Sequence, residues 1–187
     1  MILPLFRRPK RAGTISALYG MIVAQARSPG FYRDYGVPDT VSGRFDLIVV
    51  HLSVVLGRLA TEGSALGDEF RHLGQGLFDR FCQDMDHNLR EMGVGDLAVP
   101  KEMNRIGEAY YGRSQAYAAA LVEKGDAALA KALARNVFGE AEAIPSGAVR
   151  LASYVRRAVA GLAALDATTV ANGALNFPDP DLIPVEA

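Results

Sequence analysis

The sequence predicts an all-α protein, a single-domain helical bundle of about six helices with an extended, Pro-containing C-terminal tail. Three observations carry this reading. Apolar residues recur with helical spacing along most of the chain, whereas strand-like alternation is scarce. The periodic segments are bounded by recognisable caps and breakers. The 187 residues are 50% hydrophobic, enough for one core burying about two-thirds of the unfolded surface.

The first helix is expected over Thr14–Arg27 and stops at Ser28-Pro29-Gly30. Pro38-Asp39-Thr40 supplies an N-cap for a second over Val41–Glu62. A third runs from Ser64 to Met92, and Gly93 and Gly95 supply C-terminal caps behind it. Pro100–Glu123 and Asp126–Phe138 follow, Pro145-Ser146 opens Ser146–Leu165, and a short helix is expected at Ala167–Asn172. The tail, Asn176–Ala187, carries Pro178, Pro180 and Pro184 and should lie extended along the surface. The chain thus divides into a basic N-terminal segment (1–13), a helical domain (14–175) and the tail (176–187).

The second helix is apolar nearly all round. Phe45, Ile48, Val49, Leu52, Val55, Leu56 and Leu59 form one face, and Leu47, Val50 and Val54 the opposite one, as suits the centre of a bundle. Its polar strip is Arg44, His51, Arg58 and Glu62. His51 is read either as a metal or haem ligand or a donor to a partner, or as a hydrogen-bonded structural histidine.

Charge is distributed unevenly. No acidic residue precedes Asp34, while Arg7, Arg8, Lys10, Arg11, Arg27 and Arg33 do, so the first 33 residues carry +6 within a net charge of −1. Arg7, Arg8, Lys10 and Arg11, next to Ile2, Leu3, Leu5 and Phe6, are candidate contacts to an anionic surface, on lipid or RNA. The alternative is a solvated, mobile terminus. An Arg-rich, acid-free start also resembles an organellar transit peptide, but Ile15–Ala26 already reads as a helix of the folded domain. The most apolar run, Leu47–Leu59, is about 13 residues, short of the roughly 20 a spanning helix needs. One cysteine, Cys82, excludes an internal disulfide and fits a reducing compartment. The expectation is a bacterial cytoplasmic protein, with peripheral inner-membrane attachment as the role of the basic end.

Catalytic chemistry finds little support. Glu69-Phe70-Arg71-His72 and Asp84-Met85-Asp86-His87 have the acid–histidine spacing of di-metal bundles. The apolar face of that helix, however, is Phe70, Leu73, Leu77, Phe81, Met85 and Met92. Glu69 and His87 sit about 130° from its centre and His72 about 170°, so they face solvent rather than a bundle core. Asp84, about 70° away, flanks the apolar face. It is expected to be partly buried and paired with Arg58, Arg71, Arg105 or His51. Phosphate loops, dinucleotide fingerprints, nucleophile elbows and HExxH are absent from the sequence. No catalytic residue, metal or cofactor is expected, nor specific nucleic-acid recognition. Tyr110, Tyr111 and Tyr117 are candidate interface aromatics, with a core role as the alternative for two of them. Gly74, central in an apolar face, is a place for another helix to approach closely.

Several blocks resemble one family. FYRDYGVPDTVSGRFDLIVVHLSVVLGRL (Phe31–Leu59) and LFDRFCQDMDHNLREMGVGDLAVPKEM (Leu77–Met103), followed by AYYGRSQAY, are similar to the ubiquinol–cytochrome c chaperones. ALAKALARNVFG, ASYVRRAVAGLAALD and GALNFPDP match in the same order. The resemblance implies a helical, non-enzymatic assembly chaperone for the cytochrome bc1 complex. Its client would be newly made cytochrome b or another bc1 subunit, and mitochondrial members are similar in contacting ribosomes at the inner membrane. Positions matching the signature are His51, Arg58, Asp84, Arg90, Met92, Gly93, Tyr111 and Tyr154. Read from residues alone, a helical adaptor of another process, or a di-metal or haem-handling protein, stands as the alternative.

Overall fold

The computed structural model describes residues 7–140 and 142–184. Among the described residues the regular structure is helical: α1 (Arg7–Ala26), α2 (Pro29–Arg33), α3 (Val41–Leu66), α4 (Asp68–Glu91), α5 (Val99–Val122), α6 (Ala127–Val137), α7 (Ser146–Ala164) and α8 (Ala167–Ala171), then a 3₁₀ turn at Pro180–Leu182. Six of these are long, as the periodicity predicted.

α3 is the axis of the bundle, packing against α1, α4, α5, α6 and α7. Leu47, Val49, Val50, Leu52, Val55 and Leu59 are all buried, so both faces of this helix are covered. Its start is fixed by Thr40, whose Oγ1 accepts a hydrogen bond from the Gly43 amide at 3.1 Å. On α4 the buried row is Phe70, Leu73, Leu77, Phe81, Met85 and Leu89. Met92 falls beyond the helix end and is exposed, with Leu89 taking its place in the row.

Four boundaries differ from expectation. α1 begins at Arg7 rather than Thr14, so the backbone of residues 7–13 is helical. Pro9 is tolerated because the first-turn amides have no intrahelical acceptor. Met1–Phe6, and the side chains of Arg7, Arg8 and Lys10, lie outside the described part. The break between α3 and α4 falls at Gly67, with φ +90°, and not at Gly63. Only glycine adopts that backbone readily. Pro29, read as a breaker, also opens the five-residue α2, which buries Gly30 and Phe31. Finally, the tail is anchored rather than merely laid on the surface: Pro180 and Ile183 are buried, and residues 185–187 lie outside the described part.

Gly74 does face α3, but a Cβ there would meet Leu56 and Leu59 at 3.7 and 3.8 Å, ordinary contact distances. The close approach is at Gly76, where a Cβ would come within 2.4 Å of Ile15 Cδ1 on α1.

Candidate protein-docking site

The singled-out residues fall into two environments. His51 is buried in the interior. Its Nδ1 lies 2.7 Å from the Leu47 carbonyl and its Nε2 2.9 Å from the Tyr154 hydroxyl. The carbonyl can only accept, so Nδ1 carries the proton and Nε2 accepts from Tyr154. The Tyr154 oxygen accepts in turn from Gln25 Nε2 at 3.0 Å, which also donates to the Pro178 carbonyl of the tail at 3.0 Å. Burial pushes the imidazole down to about 4, so it is neutral at physiological pH. Phe31 and Phe177 stand edge-on to the ring, at 5.5 and 5.2 Å between centroids. The tail is also held by Tyr35, which donates to the Pro180 carbonyl at 2.7 Å, and by Arg150, which donates to the Ile183 carbonyl at 3.1 Å. Arg58 donates from Nε and Nη2 to the Leu162 and Leu165 carbonyls at 3.0 and 2.9 Å, satisfying the C-terminal end of α7.

Asp84 is half-buried, as its position on α4 predicted, but with different partners. It accepts from the Tyr19 hydroxyl of α1 at 2.8 Å and from Asn88 at 3.5 Å. The cations expected there are engaged elsewhere: Arg71 with Asp68, Arg105 with Glu102, Arg58 with α7. Helical spacing gave the angle of Asp84 correctly; it does not reveal which distant helix packs against that flank. Arg90 is exposed, pairing with Asp86 at 2.7 Å and with Asp96.

Among the described residues, the buried carboxylate is one that the sequence did not single out. Asp46 of α3 is 4% exposed, with Arg113 Nη2 of α5 at 2.9 Å in an ion pair not aligned as a hydrogen bond. Burial pushes its carboxyl up to about 6, with Arg113 acting against the shift. An acid directly before Leu47–Leu59, the most apolar run of the chain, was the available signal. Its partner, 67 positions away, was not.

The second environment is open. The N-terminal half of α3, the C-terminal end of α4 and the first half of α5 enclose a cleft of about 770 Å³. Val41, Phe45, Ile48, Met85, Met92 and Ile106 give it an apolar lining, and Arg27, Arg44, Arg105, Glu91 and Glu102 a rim of both signs. Val41 is 70% and Met92 56% exposed, so the apolar lining of the cleft reaches solvent. Phe45 on the floor is backed by the Arg113 guanidinium, 5.7 Å from the ring centroid, and by Phe81, 6.3 Å between centroids. Of the three candidate tyrosines, Tyr110 and Tyr117 are buried and only Tyr111 is exposed. Tyr111 leans on Phe78 and Tyr110 at 5.8 and 5.4 Å. His72 and His87 are exposed. Among the described residues no group of three or more His, Cys, Asp and Glu side chains is placed to hold a metal ion.

Residues 33–177 match the family described as ubiquinol-cytochrome C chaperone. The chain belongs to this family. Ubiquinol-cytochrome-c reductase complex assembly factor 1 from Xenopus laevis is similar to it, 25% identical over 149 residues, covering 80% of this chain and 72% of the relative. The crystal structure of the Cbp3 homolog from Brucella abortus superposes with a TM-score of 0.85 at 37% identity, covering 98% of this chain and all of that one. For a chaperone-family member the open cleft is the feature of interest, because a buried network such as His51–Tyr154 has no surface to offer a partner. No described helix is long and apolar enough to cross a membrane.

Proposed function

We propose that this protein is a non-enzymatic assembly chaperone for the cytochrome bc1 complex that holds a newly made subunit, cytochrome b first among them, in the α3–α4–α5 cleft. The observation that carries the reading is the cleft itself: exposed Val41 and Met92 over an apolar floor in a chain of this family. An apolar or amphipathic client helix laid there would cover these side chains, each contributing on the order of 1 kcal/mol. The two methionines adapt to different client side chains because an unbranched thioether repacks at little cost. The mixed-charge rim meets the polar ends of a client segment and leaves binding reversible. Rigidity comes from behind, where α3 packs against α1, α4, α5, α6 and α7.

The cations of α1 supply a second contact in this reading. Arg7, Arg8, Lys10 and Arg11 occupy its first turns, and charges next to an anionic membrane contribute about 1 kcal/mol each. Anionic vesicles, or ribosomes, should therefore retain the protein at low salt and release it at high salt. Retention that ignores salt would remove this contact from the account. The main reading is tested by deletion. Loss of the protein should lower cytochrome b and ubiquinol-dependent cytochrome c reduction while transcripts of the subunits stay level. Normal bc1 content in the deletion strain would refute it.

A further inference from the structure

Phe45 stands between the open cleft and a buried ion pair. Its ring lines the cleft, whose lining includes neither Asp46 nor Arg113. The next residue of α3, Asp46, turns inward and meets Arg113 of α5, Nη2 to Oδ1 at 2.9 Å, with the two side chains 5% and 22% exposed. Arg113 Nη1 donates to the Ala109 carbonyl, one turn back on α5, at 3.4 Å. Its guanidinium carbon lies over the Phe45 ring, 5.7 Å from the centroid. Phe81 of α4 flanks the same ring at 6.3 Å between centroids.

As a means of joining α3 to α5 the pair is poor. The cost of burying a carboxylate and a guanidinium can exceed their attraction unless the remaining polar atoms are satisfied. Ser42 stands beside the carboxyl, but Asp46 Oδ1 and Arg113 Nε have no hydrogen bond of proper geometry. Burial also pushes the Asp46 carboxyl up, against its charged form. Apolar residues of similar size often hold such a seam equally well. What they do not provide is a flat cation against Phe45. A guanidinium is attracted to an aromatic face and stacks on it, whereas an ammonium is a compact point charge.

We infer that Asp46 and Arg113 are positioning residues for client binding: Asp46 holds the guanidinium over Phe45, and the guanidinium fixes the ring as the floor on which an apolar client side chain packs. The inference rests on the reading of the cleft as the client site. A ring already held before the client arrives loses less side-chain freedom on binding than a loose one, and affinity gains by that difference. Neither charged residue lines the cleft, so their effect runs through Phe45 and should vanish when that ring is removed.

The full chain carrying Met92→benzoylphenylalanine, or Val41→benzoylphenylalanine in a second sample, is titrated against cytochrome b made by cell-free translation in mild detergent. The photo-crosslinked fraction should saturate. Arg113→Lys, which keeps a cation for Asp46 and removes the flat face, should weaken binding about three- to tenfold, within the range of one cation–π contact. Asp46→Asn, close to isosteric, should weaken it about as much by releasing the guanidinium. With Phe45→Leu in the background, neither change should weaken binding by more than about a further twofold. A purely structural pair would show the same loss with or without the ring. The positioning role is overturned if both single variants bind within about twofold of the parent, or if their losses persist in the Phe45→Leu background. Either result leaves the parent crosslink, and so the client site, standing. Absence of a saturable crosslink in both samples overturns the client site and the positioning role with it.

Discussion

The two faces of α3 that meet the tail and the cleft use the same kind of apolar side chain to opposite ends. Around His51 every polar group that the network involves is paired, and Phe31, Phe177 and Tyr154 close over the imidazole. Around Phe45 the floor is equally apolar, yet Val41 and Met92 stay in water. The tail instead closes the His51 side. Residues that carry the resemblance fall on both sides of the comparison: His51, Arg58 and Tyr154 hold helices and tail together, whereas Met92 and Tyr111 face outward.

Breaking the closed side should have the largest effect on folding. Tyr154→Ala removes a fully buried ring and leaves His51 and Gln25 without their shared partner. It should cost about 3–5 kcal/mol and lower Tm on the order of 10 °C by calorimetry. A shift of a degree or two would mean the network is not the clamp described. The next effect is pH-dependent. The Asp46 carboxyl titrates near 6 in the folded chain and near its ordinary value of about 4 when unfolded. The folded state therefore holds the proton more tightly between those values. This contribution to stability is fully present below about pH 4 and is lost as pH rises through about 6. In urea melts, the wild type should lose up to about 3 kcal/mol relative to Asp46→Asn between pH 4 and 7. Parallel curves would refute the buried assignment. Asp84→Ala should be milder, about 1 kcal/mol for the hydrogen bond from Tyr19. Asp86→Ala, in an exposed pair with Arg90, should fall within about 0.5 kcal/mol. A loss at Asp84 as large as that of Tyr154→Ala would restore the buried ion pair expected from the sequence.

These differences trace what was legible in the chain. Periodicity located the six long helices, placed α3 at the centre and turned His72 and His87 outward, because each follows from local geometry. It also assigned Tyr110, Tyr111 and Tyr117 to the right helix, but not which of them stays exposed. That depends on where α4 and α6 lie against α5. Long-range partnerships were equally hidden: Tyr19 with Asp84, Arg113 with Asp46, and the tail with His51 each join segments that no spacing rule connects. The cleft was illegible for the same reason. Val41, Phe45, Met92 and Ile106 come from three helices, and only packing gathers them.

The central claim, that the open cleft is where the client sits, is tested most directly by Val41→Glu/Met92→Glu. Both positions are exposed, so each change should alter stability by no more than about 0.5 kcal/mol. Expressed in place of the wild type, the folded double variant should fail to support bc1 accumulation, with cytochrome b falling toward the level of the deletion strain. Normal bc1 content from a variant of unchanged melting temperature would contradict the account and move client binding away from this cleft.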